Sequence, residues 1–454
     1  MFDITVKNIL EATGGKLLCG DENTPVMDVC INSREIKEGD LFIPIIGENV
    51  DAHKFIESAL VKGAATLTSE HNDVVVADKP YIYVKDTVSA LQQIGLYIRN
   101  RFDIPFVGVT GSVGKTTTRE MISTALMAGK NVYQTEGNHN SQIGVPITLS
   151  RINPDAEIAV MEMGMSEAGQ MDILSSLVKP DICVVTVIGV AHIEFLKSKE
   201  NIRNEKLSIV NHMSKDGVLF LNGDDPMLAA LRGKTDVKTY FYGTADWCDY
   251  RADNIRIENY QYVYDYVHGD KNVTVRLNAL GKHNVGNSLV GMAIADYTGV
   301  DVAAAAKQFE EFKGIRQKLI NIPGKYTILD DTYNASPDSM KASINVLADM
   351  DNTGKKIAVL GDMFELGANS EKYHYEVGEY LATKKIDELV VVGDLSLKIK
   401  EAVENNNTNI KCYNFKDNGE VALYLMSVMR EDDVCLIKGS NGMKLNEIVG
   451  NLLG

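Results

Sequence analysis

The stretch PFVGVTGSVGKTTTREMI, residues 105–122, joins an apolar run, a glycine turn and a helix-forming run. A strand that ends in such a turn and opens a helix presents backbone amides that bind phosphate groups. The generic motif has glycine where this chain has Val109, but the flanking strand and helix are what the mechanism requires. In this arrangement Lys115 would reach the outer phosphates and the Thr116 hydroxyl would bind Mg²⁺. The expected nucleotide-binding residues of the turn are Thr110, Gly111, Ser112, Val113, Gly114, Lys115, Thr116 and Thr117.

The chain has 454 residues, which is too long for one hydrophobic core, and its pattern predicts an α/β fold with three domains. Residues 1–98 mix short strands and helices, and we expect a small α/β N-terminal domain. Residues 99–312 alternate apolar strands with helices, apart from a strand-rich insertion at 239–267, which predicts a central ATP-binding domain with a parallel sheet. Residues 313–454 repeat strand and helix and predict a Rossmann-like C-terminal domain, without the GxGxxG pattern of dinucleotide binding.

Composition limits the classes of partner. A formal charge of −16 without a basic stripe disfavours nucleic acid and membrane surfaces. The six cysteines contain no CxxC pair, which is typical of reduced core thiols. The amino terminus lacks a signal-peptide pattern, and the apolar run ICVVTVIGVA is about half as long as a bilayer span. We therefore expect a cytoplasmic protein that binds small molecules. Nothing in the sequence indicates an extensive oligomer interface, so we also expect a monomer.

Two further strand ends supply candidate metal ligands. Glu162 closes the run AEIAVME, and His192 follows the run DICVVTVIGVA. Taken singly, the glutamate could cap a helix and the histidine could be satisfied within a turn. If both strands neighbour the strand before the phosphate-binding turn, however, Glu162, His192 and Thr116 would meet over the phosphates, because parallel strands end at the same sheet edge.

Lys206 lies on an apolar helical stripe with Ile202, Ile209 and Val210. One interpretation is a lysine whose stem is buried and whose ammonium reaches solvent. The other is a desolvated lysine with a lowered pKa, available as a neutral amine. Periodicity alone leaves both open.

Five motifs carry a resemblance to a known family: TGSVGKTTT (110–118), EMGMSEAGQM (162–171), VIGVAHIEFLKSKENIRNEK (187–206), GKHNVGNSL (281–289) and DDTYNASPDSM (330–340). Together they resemble the Mur ligases, the ATP-dependent amide-forming enzymes of peptidoglycan precursor synthesis. The resemblance covers essentially the whole chain. Further segments, TEGNHNSQIGVPITL and LGDMFELG among them, are most similar to the family members that add a D-alanyl-D-alanine dipeptide.

The resemblance implies roles for individual residues. It makes Glu162 and His192 ligands of Mg²⁺, and Lys206 a lysine that CO₂ converts to a carbamate and that helps to hold a second Mg²⁺. Carbamylation would replace a cation that repels Mg²⁺ by an anion that attracts it. Together with Lys115, these three residues form the implied catalytic set, and with Thr116 they form the metal-binding set. The remaining nucleotide-binding residues that the resemblance implies are Asn287, Arg316, Asp331 and Asn334.

Substrate-binding residues are implied in the same way. Ser33 and Arg34 match positions that grip the uridine nucleotide, and Asn138 and Asn140 match positions near the substrate phosphates. Three departures from the family pattern affect this assignment: Asn32 stands where aspartate is usual, Ile315 separates a usual Gly-Arg pair, and Asn441 stands where arginine is common.

The expected function is ATP-dependent addition of D-alanyl-D-alanine to UDP-N-acetylmuramoyl-tripeptide through an acyl phosphate, with two Mg²⁺ ions and a lysine carbamate. Alternatives are a sister ligase that adds one amino acid, a folate polyglutamylating enzyme, a P-loop switch, and a catalytically silent scaffold. A switch is disfavoured because NKxD is absent and because it would not need Glu162, His192 and Lys206 together.

Overall fold

The computed structural model describes residues 4–47, 49–69, 74, 76, 78–258, 261–312, 317–406 and 408–454. Arg316 and Ile315 lie outside the described residues. No helix within these ranges combines the length and apolar composition needed to cross a bilayer.

Among its described residues, the N-terminal part of the chain forms a five-stranded sheet in the order β2-β7-β6-β5-β4 and a two-stranded pairing of β1 with β3. Helix α3 begins where Asp86 accepts a hydrogen bond from the Ser89 amide, a standard helix cap. The elements are β1 (Ile4–Thr5), α1 (Val6–Thr13), β2 (Lys16–Cys19), β3 (Pro25–Val26), β4 (Val29–Cys30), β5 (Leu41–Phe42), α2 (Ile56–Leu60), β6 (Ala65–Thr68), β7 (Tyr81–Tyr83) and α3 (Thr87–Arg99).

The central part contains a sheet that, in the described residues, has nine strands in the order β16-β15-β14-β13-β12-β11-β8-β10-β9. The elements are β8 (Phe106–Thr110), α4 (Lys115–Leu126), β9 (Val132–Gln134), α5 (Gly144–Ser150), β10 (Ile158–Glu162), α6 (Gln170–Val178), β11 (Ile182–Val185), α7 (Ile193–Leu196), α8 (Lys199–Leu207), β12 (Val218–Asn222), α9 (Pro226–Ala229), β13 (Lys238–Gly243), β14 (Tyr250–Glu258), β15 (Gln261–His268), β16 (Lys271–Leu277), α10 (His283–Tyr297) and α11 (Val302–Gln308).

Helices cover both faces of this central sheet, and separate apolar cores lie on the two sides. Strand β8 is buried at every position, as expected of a parallel strand covered on both faces. The segment expected to be an insertion instead extends the same sheet: β14 pairs in parallel with β13, and β15 and β16 add antiparallel strands.

The C-terminal part forms a sheet in the order β17-β18-β22-β19-β20-β21, with only β17 antiparallel to its neighbour among the described strands. Ser336 and Ser339 form a capping box at the start of α12, and Pro337 occupies its first turn. The elements are β17 (Lys318–Ile322), β18 (Tyr326–Asp330), α12 (Pro337–Asp349), β19 (Lys356–Gly361), α13 (Ser370–Ala382), β20 (Glu388–Val392), α14 (Leu397–Asn405), β21 (Lys411–Phe415), α15 (Asn418–Val428), β22 (Asp433–Lys438) and α16 (Asn446–Leu453).

The α/β class predicted from the sequence is confirmed by these sheets and the helices that connect their strands. Their carboxyl-terminal edges position the candidate site, because β8, β10 and β11 are parallel neighbours and end side by side.

Candidate active site

The phosphate-binding turn joins β8 to α4, as the sequence predicts. Its geometry depends on two glycines. A Cβ atom on Gly111 would lie 1.9 Å from Oγ1 of Thr186, and Gly114 has a φ of +86°, which L side chains rarely adopt. Thr186 Oγ1 in turn donates a hydrogen bond to the Val113 carbonyl at 2.6 Å. The end of β11 therefore holds the turn in place.

The side chains of the turn leave donors available to an anion. The Lys115 ammonium donates to the Gly111 carbonyl at 2.8 Å, so the lysine folds back over the turn. The Ser112 hydroxyl is buried and has no hydrogen-bond partner among the described residues. Buried hydroxyls are nearly always hydrogen-bonded, so this one is suited to a phosphate oxygen. Thr116 is 6% exposed, in the first turn of α4.

Glu162 lies at the end of β10, opposite Val109 of β8. Its side chain is fully buried, and its two carboxylate oxygens have different partners. Asn140 Nδ2 donates to one oxygen at 2.7 Å, and Arg119 Nη1 donates to the other at 3.4 Å. Arg119 also contacts Glu120 and is itself buried. A guanidinium on α4 thus fixes a carboxylate on the neighbouring strand.

His192 precedes α7 and contacts the C-terminal part of the chain. Its Nδ1 atom lies 2.5 Å from Oε2 of Glu365, which follows β19. The hydrogen bond from His192 holds the pKa of Glu365 below its usual value. Both residues adopt left-handed backbone conformations, with φ of 64° and 61°.

Lys206 on α8 is 1% exposed, so its ammonium does not reach bulk solvent as the first interpretation required. Burial lowers the pKa of Lys206 well below the usual lysine value, and the positive charge of Lys115 lowers it further. The desolvated-lysine interpretation is therefore the one that the structure supports. The described residues give this ammonium no hydrogen bond or ion pair.

The C-terminal part contributes a buried ion pair. Asp331 follows β18, and its Oδ2 accepts hydrogen bonds from Lys438 Nζ at 2.7 Å and from Ser343 Oγ at 2.5 Å. Lys438 also donates to the Asn334 carbonyl at 2.9 Å. Asn334 itself is exposed and faces the same cavity as Asp331.

Asn287 on α10 connects this helix to the phosphate-binding turn. Its Oδ1 accepts from Thr118 Oγ1 at 3.0 Å, and its Nδ2 donates to Asn284 Oδ1 at 2.9 Å. The Asn287 carboxamide packs closely against Gly114. A Cβ atom built on this glycine would lie 3.3 Å from Asn287 Oδ1.

A single cavity of about 1500 Å³ brings most of the predicted residues together. Thr116, Glu162 and His192 all line it. Lys206 is not among the lining residues, but it is close enough to Lys115 for their charges to interact. Ser33 and Arg34 are also absent from the described lining; Asn32 beside them accepts from the Arg34 amide. The other predicted residues in the lining are Ser112, Val113, Gly114, Lys115, Thr117, Asn138, Asn140, Asn287, Asp331 and Asn334.

The donor set fits Mg²⁺ bound together with a nucleotide. No group of three or more His, Cys, Asp or Glu side chains in the described residues is arranged as a complete metal cage. Mg²⁺ seldom needs one, because it keeps several waters and takes one or two protein ligands plus substrate phosphates. The Glu162 carboxylate and the Thr116 hydroxyl, beside the phosphate-binding turn, supply the oxygen atoms that Mg²⁺ prefers.

Sequence reasoning did not assign Arg119 and Glu365, which contact Glu162 and His192. Arg119 follows Lys115 by four residues, so helical spacing could have placed it near the turn. Glu365 belongs to the segment LGDMFELG, whose resemblance to the family implies no role for this acid.

Three models of protein-family domains match successive parts of the chain. The model described as "Mur ligase family, catalytic domain" matches residues 26–97, "Mur ligase middle domain" matches 109–295, and "Mur ligase, glutamate ligase domain" matches 315–441.

Curated relatives match over the full length. UDP-N-acetylmuramoyl-tripeptide–D-alanyl-D-alanine ligase of Bacillus subtilis (strain 168) is 36% identical over 460 residues, covering 100% of this chain and 99% of the relative. The protein of the same name from Escherichia coli (strain K12) is 30% identical over 457 residues, covering 99% and 98%.

Solved structures give the same result for the fold. MurF from Acinetobacter baumannii has a TM-score of 0.89 to this chain, with 27% identity and 99% coverage of both chains. MurF ligase from Thermotoga maritima, solved in complex with ADP, has a TM-score of 0.81 at 28% identity, covering 94% of this chain and 97% of its own. The expected three-domain fold is thereby confirmed.

Proposed function

The chain belongs to the Mur ligase family, and we propose that it joins D-alanyl-D-alanine to UDP-N-acetylmuramoyl-tripeptide while ATP is converted to ADP and phosphate. The names of its full-length relatives support this reaction. The structural observation that carries the proposal is the cavity in which the phosphate-binding turn of the central part faces Asp331 and Asn334 of the C-terminal part. A site between two such walls can receive ATP on one side and a second substrate on the other.

The chemistry requires ATP because a carboxylate is a poor electrophile. Transfer of the terminal phosphoryl group to the tripeptide carboxylate would give an acyl phosphate, which the dipeptide amine attacks with release of phosphate. In this proposal the amides of the turn and Lys115 stabilise the charge that develops on the transferred group. Closure of the C-terminal domain over the cavity would exclude water, which otherwise hydrolyses the acyl phosphate.

We assign the metal-binding role to Thr116, Glu162 and His192. Mg²⁺ supplies charge neutralisation on the phosphates when it is bound. Arg119 and Asn140 orient the Glu162 carboxylate, which leaves further lone pairs on both oxygens for a cation.

A carbamate on Lys206 is part of the proposal. Carbamylation consumes a neutral amine and CO₂, and burial of Lys206 favours that neutral amine. Lys206 is close enough to Lys115 for their charges to interact, so a carbamate there would replace a repulsive charge by an attractive one. Carbon NMR of the protein equilibrated with isotope-labelled bicarbonate at neutral pH would detect the carbamate carbon, and its absence at saturating bicarbonate would argue against the modification.

The remaining sequence-based assignments stay proposals. We expect Asn287 to contact the adenine, Arg316 to help the C-terminal domain close on the nucleotide, and Ser33 and Arg34 to bind the uridine nucleotide. The domain limits 1–98, 99–312 and 313–454 are also retained, as are a monomeric state and a cytoplasmic location, where ATP is plentiful.

A reaction with purified protein tests the function. UDP-N-acetylmuramoyl-tripeptides ending in lysine or diaminopimelate are incubated with ATP and D-alanyl-D-alanine, with single D- and L-amino acids as competitors. We expect equal amounts of ADP and pentapeptide product. Preference for a single amino acid would indicate a sister ligase, and slow ATP loss that is independent of any acceptor would indicate a nucleotide switch.

A further inference from the structure

The contact between His192 and Glu365 joins the central and C-terminal parts of the chain at the edge of the cavity. Besides the 2.5 Å contact between Nδ1 and Oε2, the Glu194 amide donates to the Glu365 carbonyl at 3.3 Å. Glu365 therefore contacts the same loop twice, through its side chain at His192 and through its backbone carbonyl at Glu194. Both His192 and Glu365 line the cavity.

The backbone at both positions indicates a constraint. Non-glycine residues with positive φ are uncommon, and they persist where the surrounding structure imposes the conformation. Here His192 and Glu365 both adopt this conformation and face one another. Strain of this kind on both sides of one hydrogen bond points to a role for the orientation of the two side chains.

Packing ties the His192 loop to the C-terminal part. Val190 is 4% exposed and belongs to the apolar core formed mainly by α12, α13 and the C-terminal sheet. Gly367 lies so close to Glu194 that a Cβ atom on it would be 3.2 Å from the Glu194 Cα. The loop that carries the predicted metal ligand is therefore supported by the other side of the cleft.

The contact between His192 and Glu365 determines which nitrogen of the imidazole ring is available to bind a cation. In a neutral imidazole one ring nitrogen carries the proton and the other has a free lone pair. The hydrogen bond made by one nitrogen determines which of the two carries the proton. When Nδ1 donates to Glu365, the lone pair resides on Nε2, which is the nitrogen left to bind a cation. Carboxylates that accept from metal-binding histidines commonly act in this way.

We propose that Glu365 is a positioning residue: it fixes the tautomer and ring orientation of His192, so the cation site is complete only while the turn 364–367 packs against the loop 190–194. The inference rests on the proposed metal role of His192. It assigns to the C-terminal domain a part in cation binding that is separate from any contact with the nucleotide. Separation of the two domains would weaken cation binding at His192 and leave the phosphate-binding turn intact.

Mn²⁺ binding provides a test that does not depend on turnover. Electron paramagnetic resonance titration measures Mn²⁺ affinity in the presence of a non-hydrolysable ATP analogue for the full-length protein and its variants. We expect Glu365→Ala and His192→Ala each to weaken Mn²⁺ binding about tenfold or more, the size typical of lost outer-shell carboxylates. Glu365→Gln keeps an acceptor oxygen for Nδ1 and should lose less. Glu379→Ala, an exposed glutamate on α13, is the matched control and should match the wild type.

Nitrogen NMR of the His192 ring adds a readout that a purely structural contact would not move. The wild type should show a protonated Nδ1, and Glu365→Ala should show a mixture of tautomers. The proposal is overturned if Glu365→Ala keeps wild-type Mn²⁺ affinity, or if His192→Ala does. If Glu365→Ala fails to fold, Glu365→Gln decides by the same measurements: a wild-type affinity with a mixed tautomer contradicts the proposal. Failure of wild-type protein to ligate D-alanyl-D-alanine would reject the proposed function without altering these binding results.

Discussion

The Lys438 ammonium lies 2.7 Å from Oδ2 of Asp331, and the two side chains are only 3% and 9% exposed. Lys438 comes from the end of β22 and Asp331 from the end of β18, which are adjacent parallel strands. The pair lies at the carboxyl-terminal ends of these two strands and forms part of the cavity wall.

Replacement of one partner leaves the other charge buried. We expect Asp331→Ala to lower the free energy of unfolding by about 3 kcal/mol, because an uncompensated buried ammonium is costly. Denaturant unfolding, followed through the transition of the C-terminal domain, measures this change. Lys398→Ala removes an exposed pair with Glu401 and serves as the control, for which we expect no measurable change. Equal changes in the free energy of unfolding for the two variants would show that the buried pair contributes no more to stability than the exposed one.

Removal of the Lys115 ammonium should abolish turnover while leaving the fold intact. The side chain lies over the turn with its Nζ on the Gly111 carbonyl. We expect Lys115→Ala to reduce kcat about a hundredfold or more, the usual effect of losing a donor that stabilises transition-state charge. Lys215→Ala, at an exposed position, is the control. Steady-state assay of ADP release gives the ratio, and a reduction below tenfold would contradict the role.

The substitution Gly111→Ala should distort the phosphate-binding turn, although it removes no side chain. Because its Cβ would overlap Thr186 Oγ1, the bond from Thr186 to the Val113 carbonyl must break or the turn must move. Loss of that geometry should weaken ADP binding about tenfold or more, since a lost buried hydrogen bond costs about 1–3 kcal/mol. Calorimetry measures the affinity. Gly450→Ala, where a Cβ meets nothing within 4 Å, should bind ADP normally.

Lys206 should make stability depend on pH with a definite sign. Its folded-state pKa lies well below the ordinary value of 10.5, so between those two pH values the unfolded chain binds the extra proton. The free energy of unfolding must therefore rise with pH through this window, and the contribution of Lys206 is destabilising below it. In CO₂-free buffer, Lys206→Met should be more stable than wild type at neutral pH. Its advantage should shrink as the pH approaches 10.5. A difference that does not change with pH would contradict this account.

Much of the fold was predictable because the strong signals were local. The strand, turn and helix around Lys115 follow from apolar runs and glycines close together in the chain, and the same holds for β10 and β11. The edge strands β17 and β21 carry weaker signals, because polar and apolar residues are mixed along them and neither is fully buried. The segment 239–267 reads as an insertion because a sequence pattern does not reveal which sheet a strand joins.

The sequence predicts the residues that line the candidate site, but not the partners that hold them in place. Thr116, Glu162 and His192 follow from strand ends that share one sheet edge, and the structure brings them to one cavity. Their partners depend on contacts between segments distant in sequence, such as the 43 residues that separate Arg119 from Glu162 and the 173 that separate His192 from Glu365. No periodicity encodes such distances.

The walls of the cavity come from all three parts of the chain, with Val88 of the N-terminal part, Thr116 of the central part and Asp331 of the C-terminal part all lining it. If these parts close over bound substrates, they must separate again before the product leaves, and the rate of the catalytic cycle would then depend on this opening as well as on bond formation. A small molecule that wedges between the lobes and keeps them together would then act as an inhibitor without resembling any of the reactants.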